Sequence, residues 1–304
     1  MHNIATLAVL LALAATSQAS PLATRQSNDV ANDWEKAGCA ELAVIFARGT
    51  FDSGNIGPWV GQPFRDALYS KIGQGKVAFQ GVSPRDYPAN LDGYIEDGGP
   101  DSCAISLGKA VERYSARCPS AKIVISGWSI TNKAATHSQG ALCAHKSLDA
   151  SKGLASEHAR SQVIALTTFG DPISVWADSI TVPALPQNAQ HLSYCETSTP
   201  DPLCTNPLGD FPHSPSAFLE KLQAVWKDFS QASLNTAQKT ALGDLVLQLT
   251  SQAKSKIGKL DEDILSGHIR RWMLTPQHFL YGLGSHPMTA QAVDDIARVF
   301  QQSK

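Results

Sequence analysis

Charge is scarce in this sequence, and clusters of one sign are absent. Only 17% of the 304 residues are Asp, Glu, Lys or Arg, and the formal net charge is −2. No run of five like charges occurs. Proteins that bind nucleic acid usually carry a basic patch, because they neutralise phosphates. The composition therefore excludes a nucleic-acid binder, while 43% hydrophobic residues are enough for a substantial core.

Hydrophobic runs long enough to cross a bilayer are also missing. The longest, residues 4–15, has twelve apolar or small residues, whereas a membrane-spanning helix needs about 20. The small residues Ser17 and Ala19 follow it and suit signal peptidase. This pattern predicts a signal peptide over residues 1–19, with a retained anchor as the alternative because only His2 and the amino terminus supply positive charge. We expect a secreted, extracellular protein without stable membrane association.

Metal-binding spacings are lacking as well. The chain has six cysteines and nine histidines, but no Cys-x-x-Cys and no His-x-x-x-His sequence, so it shows no zinc-site pattern. We expect neither a metal nor an organic cofactor. An even number of cysteines in a secreted chain predicts disulfide bonds, with several pairings open. The six are Cys39, Cys103, Cys118, Cys143, Cys195 and Cys204.

Short apolar strands alternate with helices along most of the chain. Strands that are apolar throughout and alternate with helices are typical of a mostly parallel sheet covered on both faces. We therefore predict an α/β fold, a three-layer α/β/α sandwich. The predicted strands are residues 42–46, 76–82, 122–125 and 163–167, and the predicted helices are residues 59–72, 102–117, 140–148 and 289–300.

Two stretches depart from this alternation. Residues 20–38 are polar and lack an apolar period, which predicts a propeptide or flexible arm before a domain at residues 39–304. Residues 205–276 have helical spacing and no strand pattern. They predict two or three helices inserted into the domain, for which a lid is one role.

A serine motif directly after the third predicted strand is split in two. Gly127-Trp128 follows the strand and Ser138-Gln139-Gly140-Ala141 precedes the helix. Without the nine residues 129–137, the sequence would read Gly-Trp-Ser-Gln-Gly-Ala. This is the G-x-S-x-G turn in which α/β hydrolases hold a nucleophilic serine. Because that turn is strained, an insertion is hard to tolerate. Residues 131–133 can be encoded by a sequence like an intron branch point, and residues 136–138 by one like a splice acceptor. Our hypothesis is therefore that residues 129–137 are a remnant of incorrect splicing.

Several segments together resemble the cutinase family and its acetylxylan-esterase relatives of secreted fungal type. The split turn is similar to that family's nucleophile elbow, and Val44–Thr50 with Gly54–Gly57 is similar to its first strand and oxyanion loop. Asp201–Cys204 resembles the segment with the catalytic aspartate. His278–Gly282 resembles the His-x-x-Tyr-Gly segment with the catalytic histidine. Further similar segments are Tyr87-Pro88-Ala89, Arg117-Cys118-Pro119 and Phe169-Gly170-Asp171-Pro172, and the resemblance covers residues 39–204 and 276–300.

The resemblance implies a serine esterase that forms an acyl-enzyme. As nucleophile we expect Ser138 rather than Ser129, because Gln139 follows it and can present an N–H at the helix start. Gln139 and Thr50 are the expected oxyanion-hole donors.

Asp201 and His278 complete the expected triad. Asp171 and Asp210 are the competing acids, but the family places the acid beside the later cysteine pair. His278 follows Pro276 in a loop suited to reaching the serine. The other histidines are interpreted as part of the split turn (His137), helix surface (His145, His158), strand or core packing (His191), and loop or helix positions (His213, His268, His286).

The resemblance also implies the disulfides Cys39–Cys118 and Cys195–Cys204, which leaves Cys103 to pair with Cys143. The expected substrates are cutin-like polyesters or soluble acyl esters, with acetylated xylan as the alternative. A second alternative is an inactive protein of cutinase fold, in which residues 129–137 break the elbow. Nothing in the sequence requires more than a monomer.

Overall fold

A parallel β-sheet lies at the centre of the computed structural model. The structure describes residues 28–35, 38–89, 101–129, 140–171, 173–176, 181–205, 212–227, 229 and 234–304. In these residues five strands pair in the order β2-β1-β3-β4-β5, and every pair is parallel. The strands are β1 Leu42–Ala47, β2 Val77–Gly81, β3 Lys122–Trp128, β4 Val163–Phe169 and β5 Gln190–Tyr194.

Helices follow most of the strands. The first helix is flanked by two π-helical turns, Gly57–Gly61 and Tyr69–Gly73. No helix of the described residues is both long and apolar enough to cross a membrane. The α-helices are α1 Gln62–Leu68, α2 Asp101–Arg117, α3 Gly140–Lys146, α4 Glu157–Gln162, α5 Ile173–Trp176, α6 Pro215–Lys227, α7 Thr236–Ser255, α8 Ile257–Leu265 and α9 Met288–Gln302.

The sheet buries an apolar layer on each face, because neighbouring side chains of a strand point to opposite sides. On β1, Val44 and Phe46 pack with α1 and α9, whereas Ala43 and Ile45 pack with α2 and α3. All six residues of β1 are buried, as expected for a central strand. The predicted three-layer α/β/α architecture is therefore confirmed.

Three disulfides join the elements around the sheet, in the pairs expected. Cys39–Cys118 ties the chain before β1 to the end of α2, and Cys103–Cys143 ties α2 to α3. Cys195–Cys204 closes a short loop after β5. Because α3 follows the split motif and the short loop carries Asp201, two of the three bonds hold segments of the candidate site.

The described part of the predicted arm, residues 28–35, is packed rather than flexible. Asn32 bridges to Gln80 on β2, and Ala31 is buried in the core. The Asp33 carboxylate accepts hydrogen bonds from the Phe79 N–H, at 3.0 Å, and from the Tyr69 hydroxyl. The segment covers the edge strand β2, and its polar groups satisfy backbone groups there. The predicted signal peptide lies outside the described residues.

The predicted insertion contains α6, α7 and α8, and its apolar side chains join the main core. Phe218, Leu222 and Leu260 are almost completely buried in the same cluster as Trp59 of the domain. The buried Gln238 side chain donates a hydrogen bond to the Pro58 carbonyl, with Nε2 and O separated by 3.1 Å. The inserted helices are thus packed against the domain.

This packing predicts unequal effects of one substitution at two sites of α7. Leu245 is 1% exposed and Leu247 is 72% exposed. Leu245→Ala should lower the free energy of unfolding by about 2–5 kcal/mol, because it leaves a cavity. Leu247→Ala should change it by less than about 0.5 kcal/mol. Chemical denaturation of both variants measures this, and equal losses would show that the insertion is not part of the domain core.

Candidate active site

Asp201 and His278 meet in the interior, although 77 residues separate them. Asp201 Oδ2 lies 2.7 Å from His278 Nδ1, and both residues have 0% exposure. Asp201 lies in the loop after β5, and His278 lies in the short 3₁₀ helix Pro276–Phe279 beyond the insertion. A carboxylate on Nδ1 fixes the imidazole orientation and leaves Nε2 as the nitrogen able to accept a proton.

Two further donors surround the Asp201 carboxylate. The Tyr281 hydroxyl donates to Oδ2 at 2.7 Å, and the Leu203 N–H donates to Oδ1 at 2.9 Å. Burial would raise the pKa of Asp201, but the neighbouring His278 and these hydrogen bonds outweigh it and lower the pKa below the ordinary value. Asp201 is therefore held as a carboxylate, the form that can orient a histidine.

A braced loop positions Asp201. The Cys195–Cys204 disulfide closes it, and the Asp201 N–H donates to the Glu196 carbonyl at 3.0 Å. The largely buried Arg270 guanidinium, from the 3₁₀ turn Ile269–Trp272, donates to the Pro202 carbonyl and, at 2.6 Å, to the Thr205 carbonyl. The end of the insertion thus helps to hold the loop that carries the acid.

The His278 ring is enclosed on two sides. It stacks on Trp128, with ring centroids 5.5 Å apart and planes inclined by 24°. The Trp128 indole N–H donates to the His278 carbonyl at 3.1 Å. Gly170, at φ +60°, lies so close that a Cβ there would come within 2.6 Å of His278 Cε1. Only glycine fits this contact. Gly170, which lies in one of the segments that resemble the cutinase family, therefore leaves room for the His278 ring.

Ser129 occupies the turn at the end of β3. Its φ is +76°, a left-handed value that is unfavourable for a residue other than glycine. The Ser129 N–H donates to the Phe169 carbonyl of the neighbouring strand at 3.0 Å. The residue is 1% exposed. Strain of this kind is typical of a nucleophile elbow, where the chain turns sharply from a strand into a helix.

The two glycines of the split motif pack against each other despite the residues between them. A Cβ on Gly127 would lie 2.1 Å from the Gly140 carbonyl oxygen, and one on Gly140 would lie 2.1 Å from the Trp128 carbonyl oxygen. The Ala141 N–H donates to the Ser129 carbonyl at 3.0 Å. If residues 130–138 were removed, this bond would join positions i and i+3, as at the start of a helix.

The loop after β1 approaches the same edge of the sheet. Tyr87 connects it to α3, because the Tyr87 hydroxyl donates to the Arg48 carbonyl at 2.9 Å and accepts from the Gly140 N–H at 2.9 Å. The Arg48 Nε donates to the Asp52 carbonyl at 3.0 Å. Between Arg48 and Asp52, Thr50 is 1% exposed. The expected oxyanion residue therefore sits in a rigid, buried turn.

Thr50 Oγ1, Ser129 Oγ and His278 Nε2 are among the buried polar atoms that have no hydrogen-bond partner within the described residues. Thr50 and Ser129 follow β1 and β3, which are paired in parallel, so the carboxyl ends of both strands meet at one edge. His278 contacts Trp128, the residue before Ser129. Ligand sites of parallel α/β sheets lie at this edge.

The expected nucleophile and one expected donor, Ser138 and Gln139, lie outside the described residues, as do the alternatives His137 and Asp210. The competing acid Asp171 contacts His145 and His191 through its carboxylate, whereas His278 Nδ1 is bonded to Asp201. His158 is exposed on α4, His268 lies between α8 and the following 3₁₀ turn, and His213 and His286 lie in loops.

The interpretation of His145 as a helix-surface residue is wrong. The side chain is 4% exposed because α3 packs against the sheet, and it hydrogen-bonds to Asp171. Sequence reasoning also gave no role to Tyr281, Trp128 or Gly170. The His-x-x-Tyr-Gly pattern contains Tyr281 three residues after His278, a spacing that could have suggested a shared partner.

The chain matches the family model described as Cutinase over residues 38–229. The chain belongs to the cutinase family. It is 36% identical over 162 residues to cutinase CUT2 of Pyricularia oryzae, covering 52% of this chain and 68% of that protein. It is 33% identical over 208 residues to cutinase 4 of Emericella nidulans, covering 68% of this chain and 79% of that protein. Membership makes the protein a carboxylic ester hydrolase.

Among solved structures, a Trichoderma reesei cutinase in complex with a phosphonate inhibitor is 26% identical, with a TM-score of 0.41 over 60% of this chain and 70% of that chain. The family match ends at residue 229, inside the insertion. His278 lies beyond that point, so in this cutinase-family chain its assignment depends on the contact with Asp201.

Tyr281→Phe should weaken the support of the Asp201–His278 hydrogen bond, because it removes one donor to Asp201 Oδ2. A hydrogen bond to a charged group contributes about 1.5–3 kcal/mol. Since the folded-state pKa of Asp201 is lowered, this stability is present above about pH 4 and is lost as the pH falls through the folded pKa.

Unfolding free energies at pH 7 and at acid pH measure the effect, together with kcat. The variant should be destabilised at pH 7 and approach the parent protein in acid, and kcat should fall by about tenfold. A destabilisation that is the same at both pH values would contradict the role given to Tyr281.

Proposed function

We propose that this carboxylic ester hydrolase acts through a Ser-His-Asp triad made of Ser129, His278 and Asp201, and that it works outside the cell. The observation that carries the proposal is the buried Asp201–His278 hydrogen bond, which leaves His278 Nε2 without a partner among the described residues. The three disulfides and the apolar amino-terminal run support secretion.

Ser129 takes the place of Ser138 in this proposal, for three reasons. Ser129 has the positive φ of an elbow serine. The motif glycines Gly127 and Gly140 are in contact on either side of it. The Ser129 carbonyl is also bonded to the Ala141 N–H at the helix start. The described residues on both sides of positions 130–139 thus meet at Ser129, which supports its assignment as the nucleophile.

The proposed reaction follows from this arrangement. His278 Nε2 takes the proton of the Ser129 hydroxyl while Ser129 Oγ attacks the ester carbonyl carbon, and Asp201 stabilises the imidazolium. His278 then gives the proton to the departing alcohol as the carbon–oxygen ester bond breaks. Water, deprotonated by His278, hydrolyses the acyl-serine and releases the acid. Backbone N–H groups of the Thr50 turn and of the residue after the serine are proposed to bind the oxyanion.

A cleft beside the Thr50 turn favours substrates with an extended acyl group. It has a volume of about 570 Å³ and lies between Phe51, Pro88 and Ala89 on one side and Ala237, Thr240 and Ala241 of α7 on the other. Phe51 is the residue after the proposed oxyanion donor. The inserted helix α7 therefore supplies one wall of a groove beside the Thr50 turn, and acyl chains longer than acetate, those of cutin-like polyesters included, are proposed to extend into it.

Replacing the two serines separately tests the nucleophile. Ser129→Ala should lower kcat/KM for p-nitrophenyl butyrate by about 10⁴-fold or more, because no other group can form the acyl-enzyme. Ser138→Ala should leave kcat/KM near the parent value. Deletion of residues 130–138, which joins Ser129 to Gln139, should keep activity.

Circular dichroism and thermal unfolding of each variant verify folding. Loss of activity in Ser138→Ala with retention in Ser129→Ala would assign the nucleophile to Ser138. An inactive parent protein beside an active deletion variant would favour the alternative, in which the residues between the motif halves disable the enzyme.

Filling the cleft tests the substrate class. Ala237→Trp, at an exposed position of α7, should lower kcat/KM for octanoyl esters by about tenfold more than for acetyl esters, because the bulk blocks only the extended chain. Lys239→Trp, on α7 but not lining the cleft, is the matched control. Activity confined to acetyl esters in the parent protein would favour an acetylxylan esterase instead.

A further inference from the structure

A second cluster of titratable side chains lies beside α3, apart from the proposed triad. His145 is in the last turn of α3, Asp171 follows β4, and His191 lies on β5. Asp171 Oδ2 is 2.7 Å from His145 Nε2 and 3.4 Å from His191 Nε2. One possible ligand atom from each of the three residues lies within 4.8 Å of the other two. Three separate elements therefore direct one oxygen and two nitrogens at a common point.

The described residues make few other contacts to these atoms. Asp171 Oδ1 is occupied by the Ile173 N–H at 3.0 Å, which aims Oδ2 at the two imidazoles. The rings of His145 and His191 are nearly perpendicular, at 81°, with centroids 5.0 Å apart. Thr168 Oγ1 lies 3.1 Å from His191 Nε2, and this hydroxyl would have to turn away if that nitrogen took another partner.

The charge of Asp171 is compensated only by these histidines. Asp171 is 2% exposed, and within the described chain no lysine or arginine forms an ion pair with it. A buried carboxylate whose side-chain partners are two imidazoles is a site at which a cation can supply compensating charge.

We propose that His145, Asp171 and His191 bind a divalent transition metal ion of the zinc class. Tetrahedral zinc with bonds near 2.0–2.2 Å separates neighbouring ligand atoms by about 3.3 Å. The separations of 2.7 and 3.4 Å between Asp171 Oδ2 and the two imidazole nitrogens require only small side-chain shifts. Two imidazole nitrogens select zinc-like ions over Mg²⁺ and Ca²⁺, which prefer all-oxygen sites.

The position of the cluster indicates how an ion would reach it and which elements a bound ion would connect. The His191 side chain is 31% exposed, so the open coordination position faces the surface, while His145 and Asp171 are buried. The ion would join the end of α3 to the end of β4 and the start of β5. Because α3 begins at Gly140 of the elbow, the expected consequence is a more stable elbow helix, without direct participation in ester cleavage.

Metal binding to the full chain, stripped with a chelator and dialysed, tests this proposal. Isothermal titration with Zn²⁺ should give one site per chain, bound Co²⁺ should show the visible absorption of a tetrahedral ion, and Zn²⁺ should raise the melting temperature. Mg²⁺ should do none of these. His191→Ala, at the exposed side of the cluster, and Asp171→Asn should each weaken Zn²⁺ binding by at least about tenfold.

His158→Ala, an exposed histidine on α4, is the matched control and should bind Zn²⁺ like the parent protein. Absence of stoichiometric binding would overturn the proposal. Equal binding by the parent protein and His191→Ala, or equal losses in His191→Ala and His158→Ala, would overturn it too. The esterase proposal does not depend on any of these results.

Discussion

The hydrogen bond between Asp201 and His278 is the constraint on which the site depends. It joins two segments that are 77 residues apart, at a separation of 2.7 Å and in complete burial. An ionised carboxylate is costly to bury without partners. Besides His278, the Tyr281 hydroxyl and the Leu203 N–H donate hydrogen bonds to this carboxylate. The Cys195–Cys204 disulfide closes the loop that carries it, so several contacts after β5 position the charged Asp201.

Packing around the elbow explains how the fold accommodates extra residues at its most constrained turn. The turn requires close approach of two glycines and one residue at positive φ, not continuity of the chain. Gly127, Ser129 and Gly140 satisfy those requirements. The contacts between β3 and α3 are therefore present although ten residues separate Ser129 from Gly140 in the sequence. The same reasoning favours Ser129, because residue order alone cannot tell which serine occupies the strained position.

Strands with continuous apolar sequence are predicted correctly from the sequence, whereas the one strand with polar residues is not. The apolar runs of β1, β3 and β4 identify central strands, whereas β5 has polar, partly exposed residues typical of an edge strand. The pairing of Asp201 with His278 was expected only through the family resemblance, since nothing in spacing brings them together. The burial of His145 depends on how α3 lies on the sheet, so its contact with Asp171 is a tertiary property that helical periodicity does not reveal.

Covalent labelling is the most direct test of the proposed triad. A fluorophosphonate reacts with a serine only where a histidine activates it. Trypsin separates the two candidates, because Ser129 lies in peptide 123–133 and Ser138 in peptide 134–146. Mass spectrometry of the labelled protein should place the modification on Ser129, and Asp201→Asn should slow it. Modification of Ser138, or none under conditions where the ester substrate is hydrolysed, would contradict the account.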